Sequence, residues 1–194
     1  MDNERWLVRV IKVGGSLYRL ADLPARLHAW LEQQQPATNL LVAGGGRLVD
    51  EIREVQQLWG YSDEAAHELA LRCMDLNARQ LAAALPQLQL QRQWHPEVEI
   101  APEQSAVLEC GEWAARHGTF ERSWRTTSDS IAAEIARCVG AQELVLLKSS
   151  LPQNANNPDE YVDPLFLRHF PRQCRLRLVN LALSGFPEGD WLES

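Results

Sequence analysis

Two apolar segments of this chain end in consecutive glycines. The first, residues 6–13, runs into Gly14-Gly15, and the second, residues 39–43, runs into Gly44-Gly45-Gly46. A short apolar run bounded by glycines is typical of a buried strand, and glycine permits a tight turn into a following helix. The sequence therefore predicts two strands that each enter a glycine-rich loop.

Strands and helices alternate along the rest of the chain. Periodicity and capping residues predict four helices. They cover residues 22–34, the segment that follows the triple glycine through about Leu58, residues 63–85 and residues 129–139. Other apolar runs predict strands around residues 88–90, 107–108, 143–148 and 175–181, and prolines and asparagines predict a loop over 150–164. This alternation predicts an α/β protein with three layers, α/β/α, around an open, mainly parallel central sheet, in a single domain over residues 1–194. Ligands of such sheets bind at the carboxyl ends of the strands.

Charge and composition argue against several classes of protein. The formal net charge of −7 argues against a dedicated nucleic-acid binder and against a basic membrane-surface protein. No apolar run approaches the ~20 residues of a membrane helix, and the first residues lack the pattern of a signal peptide. The four cysteines are widely spaced and include no C-x-x-C pair. This predicts free thiols in a cytoplasmic protein rather than disulfides or a zinc site.

The chain contains seventeen arginines but only two lysines, and both lysines close apolar runs. Lys12 precedes Gly14-Gly15, and Lys148 ends the run 143–148. Lysine carries a compact ammonium on a flexible stem, whereas arginine carries a planar fork, so both positions are predicted to need a point charge. Glycine amides beside an ammonium can hold phosphate oxygens. The alternative interpretation is a tight strand-to-helix turn that needs glycine for its backbone alone.

The triple glycine repeats this arrangement at a second strand end and is followed by Arg47. Two such loops favour two anionic ligands, or one ligand between them, and close packing of helix against strand is the alternative. Neither loop is a Walker A sequence or a G-x-G-x-x-G dinucleotide fingerprint. The segment Thr126-Thr127-Ser128-Asp129-Ser130 begins the helix over 129–139, with Ser128 as its predicted cap. An ordinary helix start explains it, and the functional alternative is that Asp129 orients the lysines.

The histidines suggest no metal site, because their positions lack metal-ligand spacing. Only His67, within the predicted helix over 63–85, is a candidate for substrate contact. The five histidines are His28, His67, His95, His117 and His169.

Read together, these motifs resemble the amino-acid kinase superfamily, which includes aspartate, acetylglutamate, uridylate and isopentenyl phosphate kinases. The matching segments are Lys12-x-Gly14-Gly15-Ser16, Gly44-Gly45-Gly46, Thr127-Ser128-Asp129-Ser130-Ile131-Ala132 and Leu146-Leu147-Lys148-Ser149. Within the superfamily, the chain also resembles the short kinases that act on an aminomethylfuran-methyl phosphate in methanofuran-type cofactor biosynthesis. That resemblance rests on Ser123-Trp124-x-x-Thr127-Ser128-Asp129-Ser130, His67, Met74-Asp75, Leu147-Lys148-Ser149 and Val162-Asp163-Pro164-x-Phe166.

The resemblance implies an ATP-dependent kinase that uses Mg²⁺, and it implies roles for individual residues. The catalytic residues would be Lys12, Asp129 and Lys148, with Asp129 holding the lysines in place. The nucleotide would be bound by Gly14, Gly15, Ser16, Ser149 and Asp163. The acceptor would be bound by Gly44, Gly45, Gly46, Arg47, His67, Thr127 and Ser128.

The acceptor is predicted to be a small phosphate monoester, which would become a diphosphate. Its oxygen is already anionic near neutral pH, because the second pKa of a phosphate ester is about 6, so no general base is required. Many larger superfamily members carry a second catalytic lysine beyond the nucleotide loop, but no lysine follows Lys148. Either Lys148 takes that role, or an arginine does, or the activity is reduced.

Two other functions therefore stay open. One is a kinase of the same fold that acts on a carboxylate, a carbamate or a nucleoside monophosphate. The other is a non-catalytic nucleotide-binding protein. We expect a homodimer or a higher homo-oligomer, and no nucleic-acid or membrane partner.

Overall fold

A seven-stranded sheet forms the centre of the fold. It is described from a computed structural model that covers residues 6–98, 100–152 and 161–189. The strands are β1 (Val8–Val13), β2 (Thr38–Ala43), β3 (Gln89–Gln91), β4 (Ser105–Leu108), β5 (Glu143–Lys148), β6 (Arg175–Asn180) and β7 (Glu188–Gly189). Their order across the sheet is β3-β4-β2-β1-β5-β6-β7. Neighbouring strands are parallel except for the antiparallel pair β6 and β7, so the predicted open, mainly parallel sheet is confirmed.

Helices cover both faces of the sheet. They are α1 (Leu23–Glu32), α2 (Gly46–Trp59), α3 (Asp63–Ala84), α4 (Gly111–Arg116), α5 (Ser128–Cys138) and α6 (Phe166–His169), and a 3-10 helix spans Gly15–Arg19. Ile131 and Ile135 of α5 pack in the apolar cluster on one face of the sheet. Leu27 and Trp30 of α1 pack in the cluster on the other face.

The central strands carry long apolar runs because both faces of the sheet are covered. Along β1, Val10 packs in the cluster that includes α5, whereas Ile11 packs in the cluster that includes α1. Both side chains are fully buried. Three-layer packing of this kind is the predicted architecture. Among the described residues, no helix combines the length and apolarity that would let it span a membrane.

The structure differs from the predicted elements in several places. Helix α5 starts at Ser128, and its cap is Thr127, whose Oγ1 accepts a hydrogen bond from the Asp129 amide at 3.2 Å. The prediction that Ser128 caps this helix is therefore wrong by one residue. The short elements α4, α6 and β7 were not predicted, because two to six residues carry too little periodicity. The predicted loop over 150–164 falls partly outside the described residues. The four cysteines are free thiols, as predicted.

Candidate active site

The register of the three central strands aligns their carboxyl ends in one row. Val13 of β1 pairs with Ala43 of β2 on one side and with Leu147 of β5 on the other. The first glycine loop, the triple glycine and Lys148 follow these three residues directly. Segments separated by more than a hundred residues in the sequence thus lie side by side at one edge of the sheet.

Both lysines contact a single carboxylate at this edge. The Lys12 Nζ lies 2.8 Å from Asp129 Oδ1, and the Lys148 Nζ lies 2.9 Å from Asp129 Oδ2. The Asp129 side chain is 7% exposed, and the two lysine side chains are 7% and 15% exposed. Asp129 lies in the first turn of α5, so the start of this helix at its cap, Thr127, positions the carboxylate.

The charges of Lys12, Lys148 and Asp129 sum to +1 at a site that largely excludes water. Burial by itself raises the pKa of Asp129, but the two ammonium groups outweigh burial and hold that pKa below its ordinary value. Asp129 is therefore ionised at neutral pH. Burial lowers the pKa of Lys148, and Lys12 lowers it further, while Asp129 opposes both effects. The uncompensated positive charge favours an anion beside the lysines.

Tyr161 covers the far side of Lys148. The Lys148 Nζ donates a hydrogen bond to the Tyr161 carbonyl oxygen and lies 4.1 Å from the centroid of the Tyr161 ring. The aromatic face and the carbonyl both attract a cation. Lys148 is thus held from two sides, by Asp129 and by Tyr161.

The two glycine loops pack directly against each other. The Gly14 amide donates to the Leu147 carbonyl at 2.7 Å, and the Gly44 amide donates to the Val13 carbonyl at 2.8 Å. A Cβ atom on Gly44 would stand 2.6 Å from the Gly15 nitrogen, and one on Gly15 would stand 2.4 Å from the Gly46 nitrogen. For Gly14 and Gly44, backbone packing therefore occupies the amides that we expected to face phosphate.

A cavity of about 330 Å³ opens beside Lys12 and the remaining glycines. Its polar wall includes predicted site residues, namely Lys12, Gly15, Ser16, Gly45, Gly46, His67, Thr127 and Ser128. Its apolar wall comes from Val49, Ala70, Leu71, Met74 and Ile131. The cavity thus combines one charged end with an apolar wall, which suits a small anionic molecule with an apolar organic part.

His67 is buried in the cavity wall, at 4% exposure. Burial lowers the pKa of its imidazole, and the positive charge of Arg122 lowers that pKa further. A hydrogen bond to the backbone of Ser123 raises the pKa but does not outweigh burial. The ring is therefore neutral at neutral pH, so His67 contributes a hydrogen-bonding group rather than a charge.

Four residues at the cavity mouth were not predicted from sequence. Arg19 follows the first glycine loop, and its guanidinium lies 3.4 Å from the Asp50 carboxylate. Arg53 lies 3.9 Å from the same carboxylate and stacks 4.4 Å above the Trp124 ring. Two half-exposed arginines at the mouth of this cavity are suited to attract phosphate. No sequence signal distinguished them from the other arginines.

The remaining predicted residues lie outside the cavity wall. Asp163 accepts hydrogen bonds from the Thr127 hydroxyl at 2.7 Å and from the Ser130 and Leu165 amides, each at 3.0 Å, and from the Ser130 hydroxyl. Its contacts are those of a cap that ties α5 to the loop before α6, not those of a residue free to bind nucleotide. Ser149 forms a 2.9 Å hydrogen bond with Ser16, and Arg47 is exposed on α2.

A second polar cluster lies between α4, α5 and α6. Potential metal-ligating atoms of His117, Glu134 and Cys138 lie within 4.8 Å of one another, although their spacing in the sequence did not suggest it. The Arg137 guanidinium donates to both Glu134 oxygens at 2.5 and 2.9 Å. His117 and His169 contact the same carboxylate at 2.7 and 3.2 Å. These contacts define an ion-pair network around Glu134.

This network predicts a pH-dependent contribution to stability. Burial raises the pKa of Glu134, but hydrogen bonds from Arg137, His117 and His169 outweigh burial and lower it to about 2. The stabilisation is therefore complete above the ordinary glutamate pKa of about 4.3 and is lost as the pH falls toward the folded value. Glu134→Gln should lower the free energy of unfolding by about 1–3 kcal/mol at pH 7. Urea denaturation should show the difference from wild type shrinking below about pH 4.

Glu112→Gln is the matched control, because Glu112 is a surface glutamate that pairs with Arg116 at 2.7 Å. We expect it to change the unfolding free energy by less than about 1 kcal/mol. An effect of Glu134→Gln that does not vary with pH would contradict the role of this carboxylate.

Known proteins resemble this chain in sequence and in fold. A model of the amino acid kinase family matches residues 8–150. The [5-(aminomethyl)furan-3-yl]methyl phosphate kinase of Methanocaldococcus jannaschii is 25% identical over 140 residues, which cover 72% of this chain and 64% of that protein. Two solved structures are similar in fold. The UMP kinase from Ureaplasma parvum has a TM-score of 0.66 at 14% identity, over 94% of this chain and 93% of the other. The UMP kinase from Bacillus anthracis has a TM-score of 0.65 at 12% identity, over 94% and 90%.

The sheet order and its helical layers are thus those of a three-layer α/β/α protein with the fold of these UMP kinases. The family match spans most of the chain and includes both glycine loops, Asp129 and both lysines. The chain belongs to the amino acid kinase family.

Proposed function

We propose that this chain is an ATP-dependent phosphotransferase that adds a phosphoryl group to a small phosphate monoester and produces a diphosphate. The observation that carries the proposal is the single Asp129 carboxylate that holds Lys12 and Lys148 at 2.8 and 2.9 Å beside the cavity. Phosphoryl transfer depends mostly on positioning and on neutralising negative charge. Two fixed ammonium groups, which together with Asp129 carry a net charge of +1, are suited to that task.

The cavity supports a phosphorylated acceptor with an apolar body. Lys12 and the glycines supply its positive end, and Ala70, Leu71 and Met74 supply apolar contacts. An acceptor phosphate needs no general base, which agrees with a neutral His67 and with an Asp129 already paired to both lysines. The relative from Methanocaldococcus jannaschii carries the name of a kinase for such a monoester. A furan-type phosphate is accordingly our first candidate for the acceptor.

We propose that the nucleotide binds on the β5 side of the first glycine loop. Gly15, Ser16 and Ser149 border that side, and the part of the loop over 153–160 lies outside the described residues. Magnesium ions supply charge neutralisation in kinases. Among the described carboxylates near the lysines, Asp129 pairs with both ammonium groups, and Asp163 accepts hydrogen bonds from Thr127 and Ser130. They do not form a vacant metal site, so we propose that Mg²⁺ arrives already bound to ATP.

Each residue then has one task in the reaction. An oxygen of the acceptor phosphate forms a bond to the γ-phosphorus of ATP, and the bond from that phosphorus to the β–γ bridging oxygen breaks. Lys12 neutralises charge on the transferred group, and Lys148 neutralises charge on the nucleotide side. Asp129 keeps both ammonium groups fixed in place. The apolar wall excludes water, which would otherwise compete as acceptor.

Lys148 is expected to stand in for the second lysine of larger family members. Lys148→Met should lower kcat by about tenfold to a hundredfold while the fold is kept, because one charge partner of the phosphates is lost. Lys148→Arg should restore little activity, since a planar guanidinium does not fit between Asp129 and Tyr161. Steady-state kinetics and thermal unfolding measure both effects. Wild-type kcat in Lys148→Met would contradict this role.

A screen of acceptors tests the proposed function. ADP release would be measured with ATP and Mg²⁺ over [5-(aminomethyl)furan-3-yl]methyl phosphate, UMP, simple alkyl and aryl phosphates, and carboxylates such as aspartate. We expect turnover with phosphate monoesters that have a small ring, and none with carboxylates. Turnover with carboxylates alone would contradict the proposed acceptor. ATP binding without turnover on any acceptor would favour a non-catalytic nucleotide-binding protein.

A further inference from the structure

Helix α3 places a buried amide side chain below the floor of the cavity. His67, Leu71 and Met74 line the cavity, and Asn77 is the next position along the same face of the helix. Asn77 is 3% exposed and does not line the cavity itself. A polar group buried this deeply needs hydrogen-bond partners, and its partners show what it does.

Asn77 binds the triple-glycine loop from below. Its Nδ2 donates to the Gly44 carbonyl oxygen at 2.7 Å and to the Gly45 carbonyl oxygen at 2.9 Å. Both partners are acceptors only, so the NH₂ group of the side chain must face them. One side chain thus fixes two successive peptide units of the loop.

Peptide geometry transmits this constraint to the other side of the loop. In a trans peptide the carbonyl and the N–H of one unit point in opposite directions, and the described residues contain no cis peptide bond. The Gly44 carbonyl shares its unit with the Gly45 amide, and the Gly45 carbonyl shares its unit with the Gly46 amide. With both carbonyls turned down toward Asn77, both N–H groups point up, toward the cavity that Gly45 and Gly46 line.

Glycine makes such an external constraint necessary. Glycine adopts backbone conformations of either sign of φ at similar cost, and Gly46 stands at φ +54°. A loop of three glycines therefore has little intrinsic preference for the direction of its amides. Two hydrogen bonds from one buried donor select one direction for the two peptide units.

From this geometry we infer that Asn77 is a positioning residue, which aims the Gly45 and Gly46 amides at the phosphate of the acceptor. The inference rests on the proposed function for the identity of that ligand. Asn77 does not touch the acceptor. It acts through the two peptide units, and its effect should fall on acceptor binding rather than on ATP binding.

Substitution separates this role from a purely structural one. Asn77→Ala removes both donors, and Asn77→Asp keeps the shape but presents oxygens that repel the two carbonyls. We expect the KM for [5-(aminomethyl)furan-3-yl]methyl phosphate to rise about tenfold to a hundredfold, and more for Asp than for Ala. The KM for ATP should change by less than about twofold. Equal changes in both KM values, or no change in either, would overturn the inference.

Asn39→Ala is the matched control. Asn39 is a buried asparagine on β2 at the opposite end of the strand from the triple glycine, and its Nδ2 donates to the Ala37 carbonyl and the Ser105 hydroxyl. It should lower the melting temperature without separating the two KM values. If Asn39→Ala raises the acceptor KM alone, the effect of Asn77 is structural and the inference fails.

Amide NMR tests the direction of the N–H groups without turnover. The chain has eleven glycines, so ¹⁵N-glycine labelling gives a simple spectrum. On titration with inorganic phosphate, the Gly45 and Gly46 signals of wild type should shift, and those of Asn77→Ala should not. Equal shifts in both proteins would overturn the role of Asn77 and leave the proposed function intact. No shift in wild type, together with no turnover on any phosphate monoester, would overturn the proposed acceptor and the inference with it.

Discussion

Lys12→Met should fold normally and lose at least about a hundredfold in kcat, as expected when a charge partner of the transition state is removed. Methionine keeps the buried stem but removes the ammonium that pairs with Asp129 at 2.8 Å. Asp129 retains Lys148 as a counterion, so the fold should survive. Steady-state kinetics and circular dichroism measure the two quantities separately.

Arg9→Met is the control for the loss of a buried cation from β1. Arg9 is 2% exposed on the same strand and pairs with Glu143 at 2.6 Å, but it lies at the opposite end of the sheet from the lysines. It should reduce stability and leave the kcat of the folded protein unchanged. A folded Lys12→Met protein with wild-type turnover would refute the proposed phosphotransferase site.

Asp129→Asn should damage both activity and stability. The two buried ammonium groups would lose their shared counterion, which costs about 3–5 kcal/mol for a buried pair broken on one side. The lysines would also lose their fixed position, and kcat should fall by about a hundredfold or more. Added phosphate or ATP should recover part of the lost stability, because an anion replaces the missing charge.

The pH dependence of this variant follows from the lowered pKa of Asp129. A depressed carboxylate pKa gives stability that is complete above the unfolded value of about 3.9 and is lost as the pH falls below it. Wild type and Asp129→Asn should therefore differ most near neutral pH and converge in acid. Urea denaturation across this range is the measurement, and a difference that persists unchanged at acid pH would contradict the ionic role.

Glu143→Gln provides the comparison for a carboxylate that pairs with more than one cation. Glu143 lies 2.6 Å from Arg9, 3.4 Å from Arg175 and 3.5 Å from Arg177, at the end of the sheet away from the cavity. Its loss should reduce stability and spare kcat. If Glu143→Gln abolishes activity as Asp129→Asn does, the loss reflects global destabilisation rather than the lysine site.

The sheet and its ligand edge could be predicted because their signals are local. Buried strands on both faces leave continuous apolar runs, and glycines after a run mark where the chain leaves the sheet. Lys12 and Lys148 stood out because each closes such a run. Parallel pairing then requires their strand ends to meet, and the register of Val13 with Leu147 shows that they do.

The partners of several other polar groups could not be predicted, because they depend on segments far apart in the sequence. Asp163 was expected to bind nucleotide, yet it contacts Ser130 and Thr127, more than thirty residues away. The Gly14 amide was expected to face phosphate, yet the Leu147 carbonyl receives it. A carboxylate accepts from, and a backbone N–H donates to, whichever partner the fold brings within about 3 Å, and residue type alone does not reveal that partner.

The sequence by itself determined the class of fold, the row of glycine-rich strand ends and the two lysines, because periodicity and backbone freedom are properties of short segments. The family resemblance of the sequence already implied that Asp129 holds both lysines. Only the tertiary structure decided that Arg19 and Arg53 reach the cavity mouth, and that Asn77 holds the triple glycine from below. These contacts join residues of different elements across distances of about 3–4 Å, which only the packing of helices against the sheet sets.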